Sequence, residues 1–226
     1  MEENLSYEKE RQIISIIIDG NKELLLLNIK EGWNINKPLL LDEEGYRYRH
    51  ILPIMLAIYK CNMNSVRFLV EHKAKLDVGN EHAFLYGVRY ANYEVLDYLI
   101  QNKAKVNVLS QVYTNAYSEA YMGHHYNYFK LINQQGLDVN VHARDAINLA
   151  VNDNNYEALE ELLNLSVDLN NNVRTKNNYY GDTPLIYGVY QSNILMIQYL
   201  LSHGAALDFP NLNGQTPYTI ALKLQN

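Results

Sequence analysis

One cysteine, Cys61, stands in 226 residues, so no internal disulfide can staple the fold. That suits a reducing compartment without demanding one. Long apolar runs are missing too. Ile16-Ile17-Ile18 and Leu24 to Leu27 are far too short to span a bilayer, so no membrane is expected. The opening MEENLSYEKER is charged and polar, unlike a secretory signal. The expected location is the cytoplasm, although specialised export needs no such signal. Cations are in deficit, 19 Lys and Arg against 25 Asp and Glu, and the net charge of −6 argues against a nucleic-acid polyanion as main partner. Catalytic signatures are absent as well: no P-loop, G-x-G-x-x-G, G-x-S-x-G, H-E-x-x-H or paired C-x-x-C occurs.

What the chain does have is apolar content of 48% and 20 tyrosines. Its best-formed stretch is Gly181 to Asp208, GDTPLIYGVYQSNILMIQYLLSHGAALD. Thr183-Pro184 opens a helix, because proline's fixed φ suits the first helical position and its missing N–H is not needed there. Leu185, Ile186 and Val189, then Ile194, Ile197, Leu200 and Leu201, recur at three- and four-residue spacings, as in two short amphipathic helices. Gly204 sits where a residue of positive φ ends the second.

This stretch closely resembles one ankyrin repeat, G-x-T-P-L-H-x-A-A through L-L-x-x-G-A-D-V-N, with Ile186 in place of the usual His and Gly188 in place of the first Ala. Gly188 lies seventeen residues before Ala205. The same interval links Ile16 to Trp33, Ala57 to Ala74, Gly87 to Ala104, Ala120 to Leu137 and Ala150 to Val167. Asn213-Gly214-Gln215-Thr216-Pro217 restarts the motif near the end. Successive anchors are 41, 30, 33, 30, 38 and 33 residues apart, scattered about the roughly 33-residue ankyrin period. The expected fold is an all-α ankyrin-repeat solenoid in one continuous domain, 1–226. Its repeats fall near 7–36, 50–77, 80–107, 113–140, 143–170 and 181–208, with a half-repeat at 214–226. Each repeat of such a stack contacts only its neighbours.

In the first unit, Ile13, Ile14, Ile17 and Ile18 offer one apolar face and Leu24, Leu25, Leu27 and Ile29 the other. The charged residues Glu2, Glu3, Glu8, Lys9, Glu10 and Arg11 are expected to close the outer side. An insertion at 37–50 should lengthen a finger loop, with Leu39-Leu40-Leu41 folding back onto the body. The fourth unit reads as the weakest: it lacks Thr-Pro, places Glu119 in a usually apolar slot and puts Gly123 near a helix end, where glycine costs about 0.5–1 kcal/mol against Ala. A second insertion, 171–180, is rich in Asn and ends in Tyr179-Tyr180.

Cys61 falls between helices, where many repeats carry glycine, and reads as a small buried hydrophobe. His124-His125 is a poor metal pair, since adjacent helical residues point about 100° apart. No catalytic residue, cofactor or metal is expected. Tyr86, Tyr93, Tyr117, Tyr126, Tyr156 and Tyr218 occupy register positions normally filled by Leu, Ile or Val, and read as core.

The ankyrin resemblance implies a concave face built from finger tips and the ends of first helices. Matched by position, it would carry Tyr48 and Arg49, Tyr59 and Lys60, Arg89 and Tyr90. It continues through Thr114, Met122, His142, Arg144, Asn152 and Asp153 to Tyr179, Tyr180, Asp182, Tyr190 and Gln191. Tyrosine and arginine anchor protein interfaces through large area, modest entropy loss and a polar tip. The expected function is non-catalytic binding of a protein partner by a monomer. The front half pairs tyrosines with Arg47, Arg49, Lys60 and Arg89 and so expects acidic partner groups; the back half, with Asp182, expects basic or polar ones. Three other readings stand beside it: a secreted or injected effector of a parasite or bacterium acting on host proteins, an enzyme or small-ligand binder using the two insertions, and a structural spacer.

Overall fold

Helix pairs recur along the computed structural model, which describes residues 2–43, 47–110 and 112–224, with backbone alone for 2–6, 42–43 and 47–49. The chain divides into two compact units, Met1–Gln111 and Val112–Asn226. The first holds α1 (Glu2–Asp19) with α2 (Lys22–Lys30), α3 (Pro53–Tyr59) with α4 (Met63–Glu71), and α5 (Ala83–Tyr90) with α6 (Tyr93–Gln101). Two hairpins join the pairs: β1 (Leu39–Glu43) with β2 (Arg47–Ile51), and β3 (Asp77–Val78) with β4 (Glu81–His82). The second unit holds α7 (Ala116–Met122) with α8 (Tyr128–Gln134), the single turn α9 (Val139–His142), α10 (Arg144–Asn152) with α11 (Tyr156–Leu163), α12 (Pro184–Tyr190) with α13 (Ile194–Ser202), and α14 (Pro217–Leu224). First helices stack on first helices, α1 on α3 on α5 and α7 on α10 on α12 on α14. This is an all-α ankyrin-repeat fold whose hairpins are confined to the fingers.

The local chemistry repeats with the motif. Pro53 and Pro184 stand at the first turns of α3 and α12, and the Thr183 hydroxyl caps α12 by accepting from Ile186 N at 3.3 Å. One residue of positive φ makes the turn in five of the described helix pairs, while the α5–α6 turn uses extended Ala91 at φ −92°. Gly20 supplies it once; Cys61, His124, Asn154 and Ser192 supply it elsewhere, at φ between 51° and 59°, at a cost of order 1 kcal/mol each. In the fourth repeat the glycine falls one residue early: Gly123 is the right-handed C-cap and His124 takes the strained position. An asparagine then caps the second helix. Asn21, Asn62, Asn92, Asn155 and Asn193 each accept the backbone N–H three residues on at 3.0–3.1 Å. Asn127 makes no such bond.

The first insertion behaves as expected. Leu39 and Leu41, on one face of β1, are buried, and Leu40 N donates to Glu10 Oε2 at 3.1 Å. The first repeat covers less of its apolar surface than its periodicity promises. Ile13, Ile17 and Leu25 are buried, whereas Ile18, Leu24 and Leu27 are exposed; among the described residues α1 and α2 pack mainly against each other, α3, α4 and β1. Three of the tyrosines read as core are also corrected: Tyr93, Tyr156 and Tyr218 are 57%, 37% and 57% exposed. Each stands at the first or second residue of its helix, ahead of the turn that buries its neighbours. Tyr126 is buried because α8 starts two residues later, and its ring packs between Tyr121 and Phe129. Tyr117 is wholly buried and its hydroxyl donates to the Leu137 carbonyl at 2.9 Å. Buried Glu119 accepts the Thr114 hydroxyl, so the polar intruder of the fourth repeat is matched.

Two outcomes follow. Asn155→Ala removes both a cap and the bond its amide donates to the Tyr126 hydroxyl at 2.6 Å, and should cost about 1–2 kcal/mol in urea denaturation; Asn127→Ala should cost under about 0.5. Burial first, then the charge of Asp138, holds the Tyr117 phenol well above the usual tyrosine value. An unfolded tyrosine loses its proton above about pH 10 while the folded one keeps it, so unfolding releases a proton and stability falls as pH rises through that range. This group alone contributes a slope of at most about 1.4 kcal/mol per pH unit. Tyr117→Phe should flatten the fall in denaturation midpoint between pH 9 and 11.

Candidate functional site

In the first unit, stacking of α3 on α5 sets their C-terminal ends side by side. Tyr59 closes α3 and Tyr90 closes α5, and their rings meet edge to face with centroids 5.1 Å apart. Tyr86, one turn earlier on α5, lies 5.7 Å from Tyr90. The Lys60 ammonium stands 4.8 Å from the Tyr59 ring centre and the Arg89 guanidinium 5.3 Å from that of Tyr90. Cys61 is half-buried, and its thiol donates to the Tyr90 carbonyl at 3.2 Å. It thus ties the end of one first helix to the end of the next. Four of the expected contact residues are therefore brought together. The side chains of Tyr48 and Arg49 lie outside the described residues.

In the second unit, the finger insertion 171–180 is locked onto the start of α10. Thr175 Oγ1 and Asn177 Nδ2 donate to the two oxygens of Asp145 at 2.5 and 2.9 Å. Gly181 makes the sharp exit at φ +62°; an added Cβ would fall 2.2 Å from the Asn172 carbonyl oxygen. Tyr179 and Tyr180 stand out from the insertion, 63% and 52% exposed, with rings edge to face at 5.4 Å. Tyr190, at the end of α12, is half exposed, and its phenol is raised first by desolvation, then by Asp182 and by nearby Tyr180. Gln191 Nε2 donates to Asn152 Oδ1 at 2.8 Å, and Asp153 accepts the Tyr121 hydroxyl at 2.7 Å.

Two expected contact residues are not at the surface. Asp182 is 8% exposed, accepts from Asn211 Nδ2 at 2.6 Å, and is clasped through its backbone by the Asn178 side chain at 2.8 Å on both sides. It is an internal peg between the insertion and the following finger. Arg144 is 2% exposed, and its Nε and one terminal nitrogen find no hydrogen-bond acceptor. Burial pushes the guanidinium down to about 10, opposed by Asp168 and Asp145. Register put both residues on the binding face, but both are buried, and Asn178 of the insertion clasps Asp182. The acid invoked for the back half is consequently withdrawn from any partner. What register missed are Arg174 and Lys176: the Arg174 guanidinium lies 4.3 Å over the Tyr179 ring and the Lys176 ammonium over Tyr113. The signal was present in the alternation of NNVRTKNNYY.

Reactive arrangements are few. His82 Nδ1 lies 2.8 Å from Asp77 Oδ1, but the other Asp77 oxygen accepts the Lys105 backbone N–H at 3.4 Å, so the pair pins a finger. His124 bonds the Tyr126 hydroxyl at 2.9 Å and His125 stacks on Tyr128. Among the described residues no three His, Cys, Asp or Glu side chains gather where a metal could be held, and no helix is long and apolar enough to cross a membrane. A cleft of about 270 Å³ lies against the first insertion, floored by Ile13, Trp33 and Leu39. Its rim charges are paired, Lys9 with Glu31 at 3.2 Å and Lys37 with Glu10 at 3.5 Å.

Comparison with known proteins agrees with this architecture. Residues 147–226 match the family model described as ankyrin repeats (3 copies). The human ASB11 ankyrin repeat domain superposes with a TM-score of 0.64 at 17% identity, covering 92% of this chain and 90% of that one. A chain of the complex of Bd0816, a predatory endopeptidase from Bdellovibrio bacteriovorus, with immunity protein Bd3460 superposes at 0.58 and 21% identity, covering 76% and 92%. No curated protein matches in sequence. Residues 147–226 thus carry the family's repeats, and the fold of the chain is that of ankyrin-repeat domains.

Proposed function

We propose that the chain is a non-catalytic protein-binding module that holds its partner on the face formed by finger loops and the ends of first helices. The observation that carries this is the cluster Tyr59, Lys60, Arg89 and Tyr90. Residues thirty apart in sequence share one edge-to-face aromatic contact, with a cation against each ring. Aromatic rings fixed by their neighbours give up little entropy on binding, and the adjacent cations favour acidic partner groups. Ankyrin repeats generally serve protein–protein interaction, and the family is generally non-catalytic.

A small-ligand reading has one observation behind it, the cleft beside the first insertion. It is the weaker reading, because the charges around that cleft already neutralise one another and any ligand must separate them before it can use them. Protein binding needs no such rearrangement.

The test is affinity for a captured partner, measured with the wild type, a Tyr59→Ala/Tyr90→Ala variant and a Lys60→Glu/Arg89→Glu variant, each verified as folded by circular dichroism. Loss of a hot-spot aromatic pair should weaken binding at least thirtyfold, about 2 kcal/mol or more. The charge reversal should weaken it further as ionic strength is lowered. Equal affinity in all three proteins moves the partner off this face.

A further inference from the structure

The second unit exposes cations, Arg174 and Lys176, where its sequence pointed to an exposed acid, Asp182. We infer that the insertion 171–180 and the end of α12 form a docking surface for an extended acidic peptide segment carrying an apolar or aromatic residue. This rests on the protein-binding reading and names the partner chemistry of one of its faces. The tyrosines Tyr179, Tyr180 and Tyr190 supply half-exposed rings and three hydroxyls. Exposed Leu212 adjoins them, its N–H bonded to the Tyr180 carbonyl at 2.9 Å. Such a patch holds apolar side chains of any charge, so the sign is set by the charges left at its surface.

The charged groups there with hydrogen-bonding capacity left for a partner are cationic. Asp182 is buried under Asn211, and both oxygens of Asp145 are occupied by Thr175 and Asn177. Arg174 and Lys176 are exposed, and among the described residues neither enters an ion pair. Each instead lies against a ring of the same unit, Arg174 on Tyr179 and Lys176 on Tyr113. A guanidinium lying over a ring keeps its in-plane N–H edges directed sideways, the geometry that grips a carboxylate through two parallel hydrogen bonds. The aromatic contact fixes the cation in place beforehand, which lowers the entropy lost on binding. The insertion itself cannot drift, because Asp145, Asn178 and the glycine turn at 181 hold it at three points.

Random peptides displayed on phage would be panned against the full chain, an Arg174→Glu/Lys176→Glu variant and a Tyr180→Ala/Tyr190→Ala variant, with folding checked by circular dichroism. The expected peptides need both tyrosines and are rich in Asp and Glu around an apolar or aromatic residue. They should weaken at least tenfold on charge reversal, and their affinity should fall with added salt. Tyrosine-dependent peptides that are basic, or that bind the charge-reversed protein as well as the wild type, overturn the acidic partner while leaving protein binding intact. Peptides indifferent to both tyrosines, or no enrichment at all, overturn the surface together with the binding reading of this unit. A dT oligonucleotide that binds more tightly than the selected peptides, and is released by charge reversal, overturns the peptide in favour of a single-stranded nucleic acid.

Discussion

A short hydrogen-bonded ladder runs through both units at the foot of the fingers, and the site geometry depends on it. The last residue of each repeat motif is Asn or Asp, and in four repeats its side chain accepts a backbone N–H from the corresponding segment of the next repeat. Asn36 accepts from Lys75 at 2.8 Å and Asp77 from Lys105 at 3.4 Å in one unit; Asn140 accepts from Asp168 at 2.6 Å and Asn170 from Ala206 at 2.7 Å in the other. Two residues earlier, Asn34, Asp138 and Asp168 accept the N–H of that same final residue and hold the turn that aims it. Each bond is worth only about 1 kcal/mol net, yet each fixes a distance that hydrophobic contact leaves loose. The apolar seam decides that helices stack; the ladder decides at what spacing. Tyr59 reaches Tyr90 at van der Waals range because the repeats on either side are pinned in this way.

The same logic explains why asparagine is so common. A short side chain with an acceptor and two donors can serve two repeats at once. Asn62 caps α4 with its oxygen while its amide donates to the Ile18 carbonyl at 2.7 Å, and Asn170 accepts from Ala206 while donating to Gly204. Aspartate can only accept. At these positions the asparagines form a set of two-ended connectors. The strained left-handed residues between the helices belong to the same economy, since the turn they make delivers the capping asparagine to its helix.

Much of this was legible in the chain. The seventeen-residue interval, the Thr-Pro openings and the terminal x-N/D-x-N residues give the repeats, and a register so fixed places Tyr59, Lys60, Arg89 and Tyr90 on one side before any coordinate is known. What register cannot supply is what lies on top of a residue. Arg144 and Asp182 fall at face positions by counting, yet both are buried, Asp182 under the clasp of Asn178 from the insertion 171–180, outside the repeat pattern. Helix ends mislead in the opposite direction. Tyr93 and Tyr156 match apolar slots by counting, but at the first residue of a helix the chain has not yet turned toward the core. Arg144 is the costlier surprise, because a buried guanidinium with unpaired N–H groups is carried at a penalty that only nearby carboxylates reduce.

Net charge is the coarsest of these signals, and the two faces show its limit. A formal charge of −6 sets the long-range field and disfavours a polyanion approaching from afar. At ordinary ionic strength that field decays over about 8–10 Å. Within that radius the sign depends on which charges remain at the surface once internal hydrogen bonds have claimed the others. In the second unit the claimed charges are carboxylates: Asp145 by Thr175 and Asn177, Asp182 by Asn211, and Asp153 by Tyr121. The cations Arg174 and Lys176 lie against aromatic rings, Tyr179 and Tyr113, and among the described residues neither enters an ion pair. An acidic protein can thereby offer a partner exposed cations beside aromatic rings, because the neighbouring carboxylates, though still charged, are already engaged by internal hydrogen bonds.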